Sequence, residues 1–171
     1  MSDAAARWAT FLGKVRARLA EILEEAHAGL DEIVATEVID PGPISAAENE
    51  VKARLFALAE KIDPAWSKLE PELEGEAGLE AQGRQLDAEI RKAIETLEQR
   101  TRQQVRARLQ VLSDEERAGR KLQCSKCGAP LPEPEVQHRT VNVNCPHCGA
   151  VNTVRPGLAT AMWFSLAPRK G

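Results

Sequence analysis

Two short cysteine motifs constrain this sequence more than any other feature. They are Cys124-Ser125-Lys126-Cys127-Gly128 and Cys145-Pro146-His147-Cys148-Gly149, and 17 residues lie between Cys127 and Cys145. Two intervening residues let both thiolates of a tight turn reach one ion, and the glycine after the turn adopts the positive φ that closes it. The spacing predicts one tetrahedral four-sulfur site formed by Cys124, Cys127, Cys145 and Cys148, which suits Zn²⁺ or, less often, Fe²⁺.

Disulfides and a redox pair are two other uses of closely spaced cysteines. Disulfides are disfavoured because the N-terminus lacks the apolar core and cleavage site of an export signal. A thioredoxin-like pair needs a βαβ context, whereas the flanking segments here are proline-rich or strand-like. Four thiolates leave no open coordination position and make the ion a poor Lewis acid, so we expect one structural zinc ion and no catalytic metal. His147 is interpreted as a surface residue.

The residues around the cysteines favour short strands. Residues 139–144 alternate polar and apolar side chains, and residues 150–154 are mostly β-favouring. We call each cysteine motif with its tight turn a knuckle. Two knuckles with a few short strands are too small to fold without their metal. We place this metal module at residues 121–157.

Apolar residues at helical spacing dominate the first 120 residues. One series steps by four or three positions and predicts a helix over about 4–38, with Val34 at its edge: Trp8, Leu12, Val15, Leu19, Ile22, Ala26, Leu30 and Ile33. Asp40-Pro41-Gly42-Pro43 is expected to end this helix, and Ser45 with Glu48 forms a capping-box pattern that starts the next one. The second helix is expected to break at Asp63-Pro64.

The glycine-rich segment 72–83 predicts a frayed stretch or a second turn. A last helix over about 84–118 is indicated by another apolar series: Leu86, Ile90, Ile94, Leu97, Val105, Leu109 and Leu112. Thr101 and Gln104 interrupt it, which predicts weaker packing or a solvent-facing surface there. The three helical stretches have similar lengths, so the fold class is mainly α, with an antiparallel helical bundle or coiled coil at residues 1–120 followed by a small metal-bound β ribbon.

Charge and hydropathy narrow the choice of partners. Residues 1–120 have a net charge of −7 and residues 121–171 have +4, within an overall −3 that gives no bulk attraction to nucleic acid or to a membrane. No apolar run approaches the roughly 20 residues that cross a bilayer. Because no export signal is recognised and the cysteines favour metal over disulfides, we expect a cytoplasmic protein.

Two segments have competing interpretations. The basic run on the last helix contains Arg100, Arg102, Arg106 and Arg108, and acidic residues flank it, which favours a solvated helix face over a phosphate-binding one. The tail, residues 158–171, contains the apolar stretch Met162-Trp163-Phe164. It either packs on the rest of the chain or serves as an exposed anchor for a partner or a second subunit.

The motifs C-S-K-C-G-A-P-L-P and V-N-C-P-H-C-G resemble those of C4-type zinc ribbons that follow an N-terminal helical hairpin or bundle. The layout is also similar, more weakly, to the DksA/TraR-type regulators, which reach into RNA polymerase with a coiled-coil tip. The chain departs from that family because residues 40–45 lack the paired-aspartate tip and no C-terminal helix is evident after the ribbon. No functional residue is therefore carried over from it. The resemblance implies a scaffold that presents helices to a protein partner.

No enzyme signature is present: there is no phosphate-binding glycine-rich loop, no H-E-x-x-H, no G-x-S-x-G and no Ser/His/Asp set. We therefore expect a non-enzymatic adaptor or scaffold with a structural four-cysteine zinc site and a protein partner. Self-association through exposed heptads is a further expectation. The alternative is a nucleic-acid or transcription-complex binding regulator that uses the ribbon and the basic helix face.

Overall fold

The computed structural model describes residues 2–37, 40–73, 78–134 and 139–166 of the chain. The chain forms two compact units, residues 1–102 and 103–171. Within the described residues the fold is mainly helical and includes one two-stranded antiparallel sheet. This agrees with the predicted fold class.

The first helix, α1, spans Asp3–Glu37, close to its predicted bounds. The predicted stripe is buried from Trp8 through Leu30, apart from Leu19, which is half-buried. At the end of the helix the buried position is Val34, and Ile33 is half-buried. The shift by one residue arises because 3.6 residues per turn does not match a strict heptad over this length.

The second helix, α2, spans Pro41–Ala59, so its predicted start at Ser45 is wrong. Asp40 is the N-cap: its Oδ1 accepts a hydrogen bond from the N–H of Gly42 at 2.9 Å. Pro41 occupies the first turn, where its missing N–H has no cost. The segment expected only to end α1 therefore also starts α2.

The chain breaks again before α3, which spans Ile62–Leu69 and leads into a 3₁₀ turn, Glu70–Glu72. The predicted break lies slightly too late, because Asp63 and Pro64 fall in the first turn and Lys61 is at the cap position without a side-chain cap. The apolar residues that recur at helical spacing through α2 and the start of α3 are all buried: Val51, Leu55, Leu58 and Ile62.

The fourth helix, α4, spans Leu79–Ala118 and begins about five residues before its predicted start. Gly78 precedes it with φ +97°. The predicted second turn lies at this place, although residues 74–77 fall outside the described part. The expected weak packing at Thr101 is wrong: this side chain is 2% exposed, and its hydroxyl donates to the carbonyl of Leu97 at 3.0 Å.

Side-chain pairs establish the helix directions in the first unit. Trp8 packs against Trp66 with ring centroids 5.3 Å apart, and Glu25 pairs with Arg54, so α2–α3 run antiparallel to α1. On the other side, Arg16 pairs with Glu89 at 3.4 Å and Asp31 with Arg100 at 2.9 Å. Higher-numbered residues of α1 therefore pair with higher-numbered residues of α4, so these two helices run parallel and the bundle has an up-down-up order.

The second unit contains the end of α4, the strands and a short helix. Strands β1 (Val141–Asn144) and β2 (Val151–Val154) are antiparallel, with Val141 opposite Val154 and Asn144 opposite Val151. An isolated bridge joins Gln123 to Pro130 before them. A helix, α5, spans Leu158–Ser165, so the expectation that no helix follows the ribbon is wrong.

The first turn of α5 packs onto α4. Ala159 and Thr160 are buried, and the Thr160 hydroxyl lies 2.9 Å from that of Ser113. Leu158, Phe164 and Leu166 are exposed. The packing interpretation of the tail is therefore correct for Ala159 and Thr160. The interpretation of the exposed apolar side chains as an anchor stays a prediction. Within the described part of the chain, no helix has the length and apolarity needed to cross a membrane.

Candidate metal centre

The two cysteine motifs form knuckles with the same backbone hydrogen bonds. In the first, the Cys124 N–H donates to Ala129 O at 2.8 Å and the Gly128 N–H to Cys124 O at 2.9 Å. In the second, the Cys145 N–H donates to Ala150 O at 2.9 Å and the Gly149 N–H to Cys145 O at 3.0 Å. The two glycines have φ values of +73° and +71°, as the motif requires.

The fold brings all four predicted cysteines together. Their sulfurs all lie within 4.8 Å of one another, and the pairs Cys124–Cys148 and Cys127–Cys145, each joining the two knuckles, are 3.6 Å apart. A tetrahedral zinc site with Zn–S bonds of about 2.3 Å has sulfurs about 3.8 Å apart. All four cysteines are free of disulfides. The cluster could therefore bind one metal ion.

The sulfurs also receive hydrogen bonds. The Lys126 N–H donates to Cys124 Sγ at 3.4 Å, and the side-chain amide of Asn152 donates to the same sulfur at 3.6 Å. Such N–H donors stabilise a thiolate. Both donors therefore favour the charged form of Cys124.

The acid–base properties of the sulfurs show why a cation fits here. Backbone N–H groups of Cys127 and Lys126 lower the pKa of Cys124 to about 6, against the opposing effect of burial. The N–H of Ala150 acts in the same direction on Cys148, but contact with the sulfur of Cys127, burial and the other two sulfurs raise the pKa of Cys148 to about 12. Sulfurs this close do not all ionise by themselves, and a divalent cation removes that repulsion.

Asn152 links the two knuckles and was not identified from the sequence. It is 7% exposed on β2, and its Oδ1 accepts from the Ser125 N–H at 2.9 Å and the Ser125 hydroxyl at 3.0 Å. Its Nδ2 donates to Ala150 O at 3.0 Å. One side chain therefore connects the first knuckle to the strand that leaves the second.

Glu116 is a second residue that sequence reasoning missed. Its carboxylate accepts from the N–H groups of Ala159 and Thr160 at 3.0 and 3.1 Å and from the Thr160 hydroxyl at 3.0 Å. The N-cap residue of α5 is Gly157, which has no side chain to cap the helix. The Glu116 carboxylate therefore supplies the capping acceptors for the first turn of α5. Burial opposes its ionisation, but these donors and the Leu158 N–H hold the pKa of Glu116 below its ordinary value.

The described histidines, His27 and His147, are not among the potential metal ligands. His147 is exposed, and the only group of potential ligands found among the described residues consists of the four cysteines. His138 lies outside the described residues.

No protein-family model matches this chain, and neither curated proteins nor solved structures give a significant match.

Proposed function

We propose that this chain is a non-enzymatic, cytoplasmic adaptor whose C-terminal ribbon is ordered by one structural zinc ion. The observation that supports it best is the set of four sulfurs within 4.8 Å of one another, on two matching knuckles. Cys124, Cys127, Cys145 and Cys148 would hold the ion and leave no position for a substrate or a reactive water. When bound, zinc supplies cross-linking of the two knuckles and no further chemistry.

Metal analysis of the purified full chain tests the metal part of the proposal. We expect one zinc per chain, and reconstitution with Co²⁺ should give the thiolate-to-cobalt charge-transfer bands of a tetrahedral four-sulfur site. Cys148→Ser should lower metal retention, whereas His147→Ala, in the same knuckle, should leave both metal content and the cobalt spectrum unchanged. Iron in place of zinc, or an equal loss in both variants, contradicts this assignment.

The adaptor part rests on the helical unit, which supplies long exposed faces. Phe56 on α2 is 45% exposed, and large aromatic side chains are enriched at protein interfaces. Affinity capture with the zinc-loaded chain should recover a discrete protein partner that Phe56→Ser loses and that Ala57→Ser, at the neighbouring exposed position, retains. Absence of such a partner together with turnover of a substrate contradicts the proposal.

The nucleic-acid alternative has less support. Of the four arginines in the basic run, Arg100 is already ion-paired with Asp31. Phosphate contacts would produce a steep fall of DNA or RNA affinity with salt, and Arg102→Ala would reduce that slope.

A further inference from the structure

Two adjoining clefts in the second unit share Arg120 and Arg155. The larger, of about 400 Å³, lies between residues 120–125 and β2. The smaller, of about 260 Å³, is lined by the end of α4 and the start of α5. These volumes approach or enter the range of ligand clefts in proteins, and neither cleft includes a cysteine sulfur.

The clefts carry a strong excess of positive charge. Their lining includes Arg117, Arg120, Lys121 and Arg155. The one acidic side chain in the two linings is Glu116, and its carboxylate is engaged by the donors of α5. Among the described residues, the side chains of Lys121 and Arg155 form no salt bridge. Arg117 pairs with Asp114 in an exposed salt bridge, and such a pair is weak enough for Arg117 to pair with a ligand carboxylate instead. A third cavity, of about 140 Å³, adds Glu133 beside Arg117 and Arg120.

The larger cleft also has an apolar and a backbone component. Leu122 and the largely buried Val154 line it, and within the described part of the chain the backbone of β2 pairs with β1 alone. A strand with one open edge can accept an extended peptide. No aromatic residue lines the two clefts, so they lack the stacking surfaces that single-stranded nucleic acids use.

From this combination we infer that the cleft between residues 120–125 and β2 binds an extended acidic peptide segment of the partner protein. Carboxylates of the segment pair with Lys121 and Arg155, while its alternate apolar side chains face Leu122 and Val154. The inference rests on the proposed adaptor function and adds to it the chemistry of what is recognised.

A binding experiment with a defined probe tests the inference. The probe is a fluorescein-labelled decapeptide of alternating glutamate and valine, titrated with the zinc-loaded full chain and followed by fluorescence anisotropy. The test variant is Lys121→Glu with Arg155→Glu, since neither side chain has a described ion pair to lose. The matched control is Lys92→Glu with Arg139→Glu, which makes the same change of charge at exposed positions outside the clefts.

We expect the test variant to bind the acidic peptide at least about tenfold more weakly than the wild type, and the control variant to bind it as the wild type does. A decapeptide of alternating lysine and valine should not bind. Absent binding, an equal loss in both variants, or tighter binding of a ten-residue oligothymidylate overturns the inference. Zinc content is measured on every sample: a chain that retains zinc and captures its partner but ignores the peptide refutes the cleft and leaves the adaptor proposal standing.

Discussion

The helical unit and the C-terminal unit of this chain are stabilised by different chemistry. In residues 1–102 the largest fully buried side chains are apolar, among them Trp8, Leu55 and Ile90. The buried cluster at the knuckles consists of Cys124, Leu131 and Cys145. Each large apolar side chain contributes about 1.5–3 kcal/mol on burial, so the helical unit depends on many similar contributions. The ribbon has few of them, and under the proposed zinc site its stability would depend on the four sulfurs and a few polar links.

This difference determines where each unit is vulnerable. Loss of one apolar side chain lowers the stability of the helical unit, but the remaining apolar residues at helical spacing still define its buried face. Loss of one sulfur would remove a quarter of the coordination that we propose orders the ribbon. The ribbon should therefore respond to single substitutions in an all-or-none way, and the helical unit in small steps.

The largest expected effect is loss of ribbon order when the metal site is destroyed. Structural zinc in small modules contributes about 10–16 kcal/mol of apparent folding free energy. Cys145→Ser, or chelation of the wild type, should abolish amide protection in β1 and β2 while protection in α1 and α2 persists. Hydrogen exchange with mass spectrometry measures both regions at once, with His147→Ala as the control. Unchanged protection of residues 141–154 after metal removal would contradict the claim that the ribbon depends on its metal while the helical unit does not.

The second effect concerns Asn152, which joins the knuckles by side-chain hydrogen bonds. Asn152→Ala leaves the four sulfurs in place but removes the amide donor to Cys124 and the acceptor for Ser125. Loss of such an outer partner lowers metal affinity by about 10–100-fold. Competition with a chromophoric chelator measures this change.

Asn142→Ala is the matched control, because Asn142 is an exposed asparagine in the same sheet, whose side chain accepts one exposed hydrogen bond from Thr153. Its metal affinity should equal that of the wild type. Equal affinities for all three proteins would mean that the cysteines hold the metal without help from β2.

The third effect is smaller and depends on pH. Because the pKa of Glu116 is lowered in the folded chain, its capping of α5 is fully present above the ordinary glutamate pKa, about 4.3. That stabilisation is lost as the pH falls through the lowered value. Amide exchange at Ala159 and Thr160 should therefore accelerate below about pH 4 relative to the intrinsic rate.

Glu116→Ala should show the faster exchange at all pH values, with a local loss of about 1–3 kcal/mol, because buried N–H donors lose their acceptor. Glu115→Ala, at the adjacent exposed position, should behave as the wild type. A wild-type exchange profile at α5 that ignores pH would show that Glu116 does not hold this helix.

Local patterns are sufficient for much of this architecture. Apolar spacing predicts the buried face of α1 and α4, and the two Cys-x2-Cys-Gly motifs predict which sulfurs meet. The predicted start of α2 is wrong because both Asp40 and Ser45 have capping side chains. In the structure Asp40 is the cap, with Pro41 in the first turn. From the sequence, Asp40-Pro41-Gly42-Pro43 indicates only the end of α1.

The polar links could not be predicted, because they join distant positions. Asn152 meets Ser125 across 27 residues, and Glu116 meets Thr160 across 44. Neither residue belongs to a motif, and asparagine and glutamate are ordinary on exposed surfaces. Gly83 is a further case: its glycine-rich context predicts a frayed stretch or a second turn, whereas it lies inside α4 against Trp8.

Gly83 provides the smallest expected effect and a direct test of packing in the helical unit. Alanine is favoured over glycine in a helix by about 1 kcal/mol. A Cβ at Gly83 would lie 2.9 Å from Trp8 Cζ2 and 3.2 Å from Ile62 Cγ2, and both side chains are buried. Overpacking costs about 1–3 kcal/mol, so Gly83→Ala should destabilise the unit by up to about 2 kcal/mol.

Gly29→Ala is the matched control, because Gly29 lies within α1 and a Cβ there meets nothing within 4 Å. The same substitution should therefore stabilise the chain by up to about 1 kcal/mol, since only the helix preference acts. Urea unfolding followed by far-ultraviolet circular dichroism measures both changes. Opposite signs at the two glycines are the expected result, because close packing outweighs propensity only where a neighbour occupies the space. If Gly83→Ala is as stabilising as Gly29→Ala, the helical unit is loosely packed at Trp8, and the contrast with the ribbon then rests on the number of its apolar contacts and not on their fit.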